Sequence, residues 1–224
     1  MTSTSSFPQR LTKIDGLTLG DHSHLNADDD CYFLGEYTAR EGYAFSATND
    51  LISNFKKDLG KKGKPEWRYK DEAIKDTAVA FRMALGDTSL ETWTFVPIPP
   101  SKAKSDPFYD DRLTRMLLGI RPKLPLDVRE LVVQTENTEP AHSAEVRPTP
   151  DAIKALYAID EGLAVPPPMD SIALVDDVLT TGAHFRAAKS ILAQRFPTAR
   201  IIGLFIARRV PATLEIELDD LLKF

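Results

Sequence analysis

Two carboxylates stand side by side at the end of an apolar run in Ile172-Ala173-Leu174-Val175-Asp176-Asp177-Val178-Leu179-Thr180-Thr181-Gly182-Ala183. Adjacent acids after buried-type residues are costly unless something uses them. The small, hydroxyl-rich turn that follows reads as a loop opening a helix, and free backbone N–H groups at such a turn suit a phosphate. Carboxylates beside it can accept hydrogen bonds from sugar hydroxyls. The pattern therefore suits a phosphorylated sugar; the alternative is a strand–turn–helix whose acids are solvated caps.

The elements that must position these groups are legible from periodicity and punctuation. Short β-branched runs at 94–98, 130–133, 171–175 and 199–206 read as buried strands, and 112–118 and 187–196 carry apolar residues at helical spacing. Strands alternating with helices predict an α/β fold with a mostly parallel sheet flanked by helices. In open sheets of this kind ligands bind beyond the carboxyl ends of the strands, where the Asp176-Asp177 loop would lie.

Upstream, residues 1–30 form a polar arm with Asp15-Gly16 as a hairpin turn between two short apolar runs. Residues 31–92 mix aromatics with helix formers, including a helix over 71–85 with Ile74, Val79, Phe81, Met83 and Leu85; residues 93–224 form the core. The aromatic stretch from Cys31 to Thr38, with Tyr43 and Phe45, is expected to pack under the sheet's edge. Residues 134–150 lack apolar periodicity and read as a long exposed loop, either functional or a plain linker.

Three further groups invite chemistry. Ser101 and Lys102, just past the first core strand, offer a cation and free amides to an anion, or form a solvated turn; Lys104 is a lesser candidate. Residues 55–70 hold seven basic and two acidic residues, a local +5 in a chain of 28 Lys+Arg and 33 Asp+Glu whose net charge is −5. With Trp67 and Tyr69 interleaved, this stretch could bind single-stranded nucleic acid, or be a solvated loop with its aromatics anchored inside. Asp21-His22-Ser23-His24 followed by Asp28-Asp29-Asp30-Cys31 contains metal-ligand residue types, with a polar surface as the alternative.

The string from Ile172 to Ala183 resembles the phosphoribosyl-pyrophosphate (PRPP) signature of type I phosphoribosyltransferases. The rest is most similar to the ComF-type branch, collinearly over about residues 50–210: Leu51-Ile52-Ser53-Asn54-Phe55-Lys56-Lys57 is like its early segment, Val96 to Lys102 like its diphosphate loop, and His142 to Arg147 like its flexible loop. The resemblance implies a type I phosphoribosyltransferase fold with a divergent N-terminal hood. It also implies transfer of ribose 5-phosphate from PRPP to a nitrogen acceptor, or a PRPP-sensing or DNA-linked descendant without transfer. Asp176 and Asp177 would engage the ribose, Thr180, Thr181, Gly182 and Ala183 the 5-phosphate, and Ser101 and Lys102 the diphosphate. Glu145 and Arg147 would belong to a lid, Mg2+ would come with PRPP near Asp176 and Asp177, and a homodimer is expected. Two departures stand out. His184 occupies the position of a family Thr, where it either bonds the 5-phosphate or caps the helix, and with one cysteine the branch's zinc ribbon has no ligands.

Composition narrows the classes. A 42% hydrophobic content supports a sizeable core, and no apolar run approaches the roughly 18 residues of a membrane span. The polar start of the chain lacks the basic and apolar regions of a secretory signal, so a cytoplasmic location without membrane partners is expected. A lone Cys31 forms no internal disulfide.

Overall fold

A computed structural model describes residues 7–138 and 148–211. Its centre is a six-stranded sheet in the order β1-β2-β8-β7-β3-β4, built from β1 (Thr12–Lys13), β2 (Cys31–Thr38), β3 (Trp93–Pro97), β4 (Asp127–Val128), β7 (Ser171–Leu179) and β8 (Arg200–Val210). Only β1 runs antiparallel to its neighbour; the other pairings are parallel. A separate antiparallel ribbon joins β5 (Val132–Gln134) to β6 (Tyr157–Ile159).

The central strand β7 is apolar on both faces, as a parallel strand covered on both sides must be. Ala173 and Val175 join one core cluster, which α1 (Ala47–Phe55), α2 (Arg68–Ala84) and α4 (Arg112–Ile120) cover through Phe55, Phe81 and Met116. Ile172 and Leu174 join the other, covered by α6 (Ala183–Arg195) through Phe185, Ala188 and Leu192. Two short helices, α3 (Asp87–Thr92) and α5 (Pro150–Lys154), lead into β3 and β6. Ser46 caps α1 by accepting the Asn49 N–H at 3.1 Å, and Thr149 caps α5 by accepting that of Ala152 at 3.3 Å.

Four expectations change. The run 130–133 supplies no strand to the main sheet: the place beside β3 goes to Asp127–Val128, and the chain then turns so that Val132–Gln134 pairs with β6. Its apolar character remains explained, because Leu131 and Val132 are buried in the α6-side core. Asp15-Gly16 closes no hairpin. Asp15 folds a local turn by accepting the N–H groups of Leu17 and Thr18, and β1 pairs with β2 instead. Cys31 to Thr38 does not lie under the edge; it is β2, hydrogen-bonded along β8 from Cys31↔Gly203 to Thr38↔Val210, while Tyr43 and Phe45 are exposed. In α2, Ile74, Ala78 and Phe81 face the core at spacings of four and three, which puts Val79 and Met83 on the opposite, solvent-facing stripe. Leu85 follows the helix as its buried C-cap.

Candidate functional site

The sheet has a step at its carboxyl edge. Pairing of β3 with β7 ends at Pro97↔Val175, with one last bond from the Ile98 N–H to the Val175 carbonyl at 2.8 Å, whereas β7 and β8 stay paired to Leu179↔Arg208. Asp176 and Asp177 are thus the first residues of β7 beyond the end of β3. A strand sends successive side chains to opposite faces, so the two acids meet different surroundings.

Asp177 is 4% exposed and clamped by two cations. Lys56, the residue that ends α1, places Nζ 3.0 Å from Oδ1; Arg112, the first residue of α4, brings Nη2 to 2.6 Å and Nε to 3.2 Å from Oδ2. The chain of charge continues. Arg112 Nη1 donates to Asp110 at 2.9 Å, and Asp110 also accepts from Lys70 Nζ at 2.7 Å. Lys70 has no exposed surface and donates further to the Phe55 and Lys57 carbonyls, both at 3.0 Å. Burial opposes the charge on Asp177, but Lys56 and Arg112 override it and hold the carboxyl well below the usual range.

Asp176 makes no ion pair with a cation among the described residues. It accepts the Asp177 N–H at 2.7 Å, and burial, reinforced by the negative charge of Asp177, pushes its carboxyl up to about 7. Among the described residues, it is the member of the pair whose lone pairs no cation occupies.

Beyond Leu179 the chain turns through Thr180 and Thr181, both half-buried, into Gly182, whose φ of +85° is the left-handed conformation that glycine adopts without strain. Gly182 is the N-cap of the thirteen-residue α6, and its carbonyl accepts the Arg186 N–H at 2.9 Å. His184, in the first turn, has Nδ1 2.8 Å from the Tyr157 hydroxyl. Burial holds the histidine pKa down and pushes the phenol up, so both groups are neutral. A buried phenol O–H needs an acceptor; Nδ1 is its partner among the described residues, which leaves the imidazole proton on Nε2.

The expected diphosphate residues sit at the same carboxyl edge. Ser101 and Lys102 lie in the loop after β3, where the Ser101 carbonyl accepts the Thr138 N–H at 2.8 Å and Ala103 donates to Asn137 Oδ1 at 2.8 Å. Among the described residues this loop hydrogen-bonds to the segment after β5 and to neither acid. Lys104 is occupied by Glu130 at 2.6 Å. Glu145 and Arg147, with His142, lie outside the described residues.

The basic stretch 55–70 is not one solvated face. Phe55 and Lys70 are buried, Lys56 turns in to Asp177, and Tyr69 has Lys57 and Arg68 over its ring at 5.4 and 4.7 Å. Three of the arm's acids are also taken: Asp21 by Arg208, Asp29 by Arg186 and Lys189, Asp30 by Lys13 and Arg200. Among the described residues no group of three or more His, Cys, Asp or Glu is placed to hold a metal ion. No described helix is long and apolar enough to cross a membrane.

Sequence reasoning missed Lys56, Lys70, Asp110, Arg112 and Tyr157. Each is an ordinary residue at a helix end, in a short strand or, for Asp110, in the loop before α4, and nothing in the local pattern points toward the acids from so far along the chain. No protein-family model matches the chain, and no curated protein matches it.

Proposed function

We propose that the chain is a PRPP-binding protein of the type I phosphoribosyltransferase class that transfers ribose 5-phosphate to a nitrogen acceptor and releases diphosphate. The observation that carries this reading is one placement. A carboxylate that no described cation pairs with, Asp176, stands at the carboxyl edge of a central parallel strand, six residues before a left-handed glycine that opens a long helix. A sugar phosphate needs both halves, amides for the phosphate and an acceptor for the hydroxyls.

In this reading Asp176 accepts from the ribose hydroxyls and Thr180 to Ala183 surround the 5-phosphate. His184 donates from Nε2, because Tyr157 occupies Nδ1. Asp177 stays with Lys56 and Arg112 and holds the loop in place. Ser101 and Lys102 approach the diphosphate. The donor set fits a Mg2+ carried in by PRPP rather than a resident ion, since Asp176 is the single acid of the pair that no described cation holds. When bound, the ion neutralises charge on the leaving diphosphate.

A second reading, a PRPP sensor without transfer, is favoured by one fact: the ion chain commits one of the two acids. The deciding experiment is isothermal titration of Mg-PRPP into the native protein and Asp176→Asn, followed by a screen of nucleobases and ammonia for diphosphate release. Binding that weakens at least tenfold in the variant, with diphosphate released, supports the enzyme. Binding without release supports the sensor, and no binding by the folded native protein removes both. Asp177→Asn is unsuitable here because it leaves the buried Arg112 guanidinium without the acid it clamps.

A further inference from the structure

The Thr180–Gly182 loop is held from behind by a segment almost 160 residues away in sequence. His22, 1% exposed, donates its Nδ1–H to the Thr180 carbonyl, and the His24 N–H donates to the Thr181 carbonyl at 2.8 Å. Leu25 packs directly on Gly182, so close that a Cβ there would lie 2.7 Å from Leu25 Cδ2. Glycine is required twice over, by its φ and by this contact.

The segment is itself pinned at both ends. Asp21 accepts from Arg208 Nη1 at 2.8 Å. Asp29, with its carboxylate fully buried, accepts from Arg186 at 3.1 Å and Lys189 at 2.6 Å, both on α6. Asn26 joins them through its N–H, 2.8 Å from Asp29 Oδ2. The arm is therefore tied to the helix that opens at Gly182.

The consequence follows from peptide geometry. The bonds from Thr180 to Thr181 and from Thr181 to Gly182 are trans, so each carbonyl and the N–H of the next residue point in opposite directions. With both carbonyls turned toward the arm, the Thr181 and Gly182 N–H groups face away from it, and neither has a hydrogen-bond partner among the described residues. We infer that residues 21–25 form a clasp that aims these two amides at the phosphoryl group of a sugar phosphate, with His22 as a positioning residue; this rests on the PRPP reading above. Without the Nδ1–H, the Thr180 carbonyl has no other hydrogen-bond donor among the described residues, and the amides lose their shared direction.

The test uses ribose 5-phosphate as the probe, with affinity from calorimetry and amide shifts from 15N NMR of the full chain. His22→Phe keeps a ring of similar width and lacks the donor. His22→Asn restores a donor near the Nδ1 position. Native protein should bind with large shifts at Thr181 and Gly182, His22→Phe should bind roughly five- to tenfold more weakly, as expected for one lost hydrogen bond of about 1 kcal/mol, and His22→Asn should recover most of the affinity. A purely structural role for His22 would lower stability in both variants without the recovery of affinity in one. Equal affinity and equal shifts in native protein and His22→Phe would overturn the clasp and leave the phosphate reading standing. No binding by the native protein, or shifts that bypass Thr181 and Gly182, would overturn that reading and the clasp with it. Where His22→Phe fails to fold, the comparison becomes His22→Asn against His22→Gln, whose longer side chain misplaces the donor; weaker binding by the second supports the clasp and equal binding overturns it.

Discussion

Asp177 and Asp29 each hold two cations, one acid on either face of the β7–β8 pair. Around Asp177 the charges form a chain of five groups from Lys56 through Arg112 and Asp110 to Lys70, and the inner members are closed off: the Arg112 side chain is 16% exposed and that of Lys70 not at all. Around Asp29 the acid is the buried partner, while Arg186 and Lys189 remain 31% and 25% exposed. What differs is therefore where the cations go when the acid is removed. Those on Asp29 turn to water. On Asp177, Lys56 at 41% exposure can do the same, but Arg112 at 16% cannot.

The largest expected effect uses that difference. Asp177→Asn should cost on the order of 3–5 kcal/mol, the range for stranding a partner in a buried ion pair. Asp29→Asn should cost about 2 kcal/mol, the scale of hydrogen bonds to charged groups whose donors can rehydrate. Urea denaturation of the two variants measures both. Equal losses would break the comparison and show that Arg112 finds water after all.

A smaller effect separates the two adjacent acids. Asp176, with its carboxyl pushed up to about 7, keeps a proton that the unfolded chain releases near the ordinary aspartate value. The folded state then binds more protons, so the Asp176 contribution to stability falls as pH rises from about 4 to about 7 and is flat above. Asp177, with its carboxyl depressed, does the reverse, and its contribution is lost only as pH drops below the ordinary aspartate value. Asp176→Asn should remove the first dependence alone. The stability difference between variant and native protein should thus move in the variant's favour between pH 4 and pH 7. Histidines that titrate in the same range are common to both proteins and cancel in that difference. A pH-independent difference would mean that Asp176 is ionised in the folded state throughout.

What could be read from the sequence divides along the same line. The acids, the turn and the helix after them are contiguous, so one run of residues declared the strand, the loop and its chemistry together. The parallel sheet was legible for the same reason, because β7 and β8 are long, β-branched and buried on both faces. Partners that meet across the fold left no such trace. Lys56 and Asp177 are 121 residues apart, His22 and Thr180 are 158 apart, and nothing near either residue distinguishes an inward lysine from an outward one. Short strands failed for a related reason: two residues at Asp127–Val128 carry no periodicity, so the more apolar run 130–133 took their place in the reading. Residues 55–70 show the limit of charge counting, since Lys56 and Lys70 both serve buried or half-buried acids while their neighbours face water.

That last contrast gives the smallest effect. Lys61 and Glu66 lie in the same basic stretch, 3.8 Å apart, with side chains 48% and 40% exposed. An exposed pair at that distance gains little in water, and holding two long side chains together costs about as much as it returns. Lys61→Ala should therefore change stability by less than about 0.5 kcal/mol, and the change should vanish in high salt, where exposed charges are screened. Lys70→Met, nine residues on, should retain its full penalty in the same salt, because its partners are Asp110 and two carbonyls that water does not reach around a side chain with no exposed surface. A salt-sensitive loss at Lys70 would place that ammonium in solvent and take apart the chain that reaches Asp177.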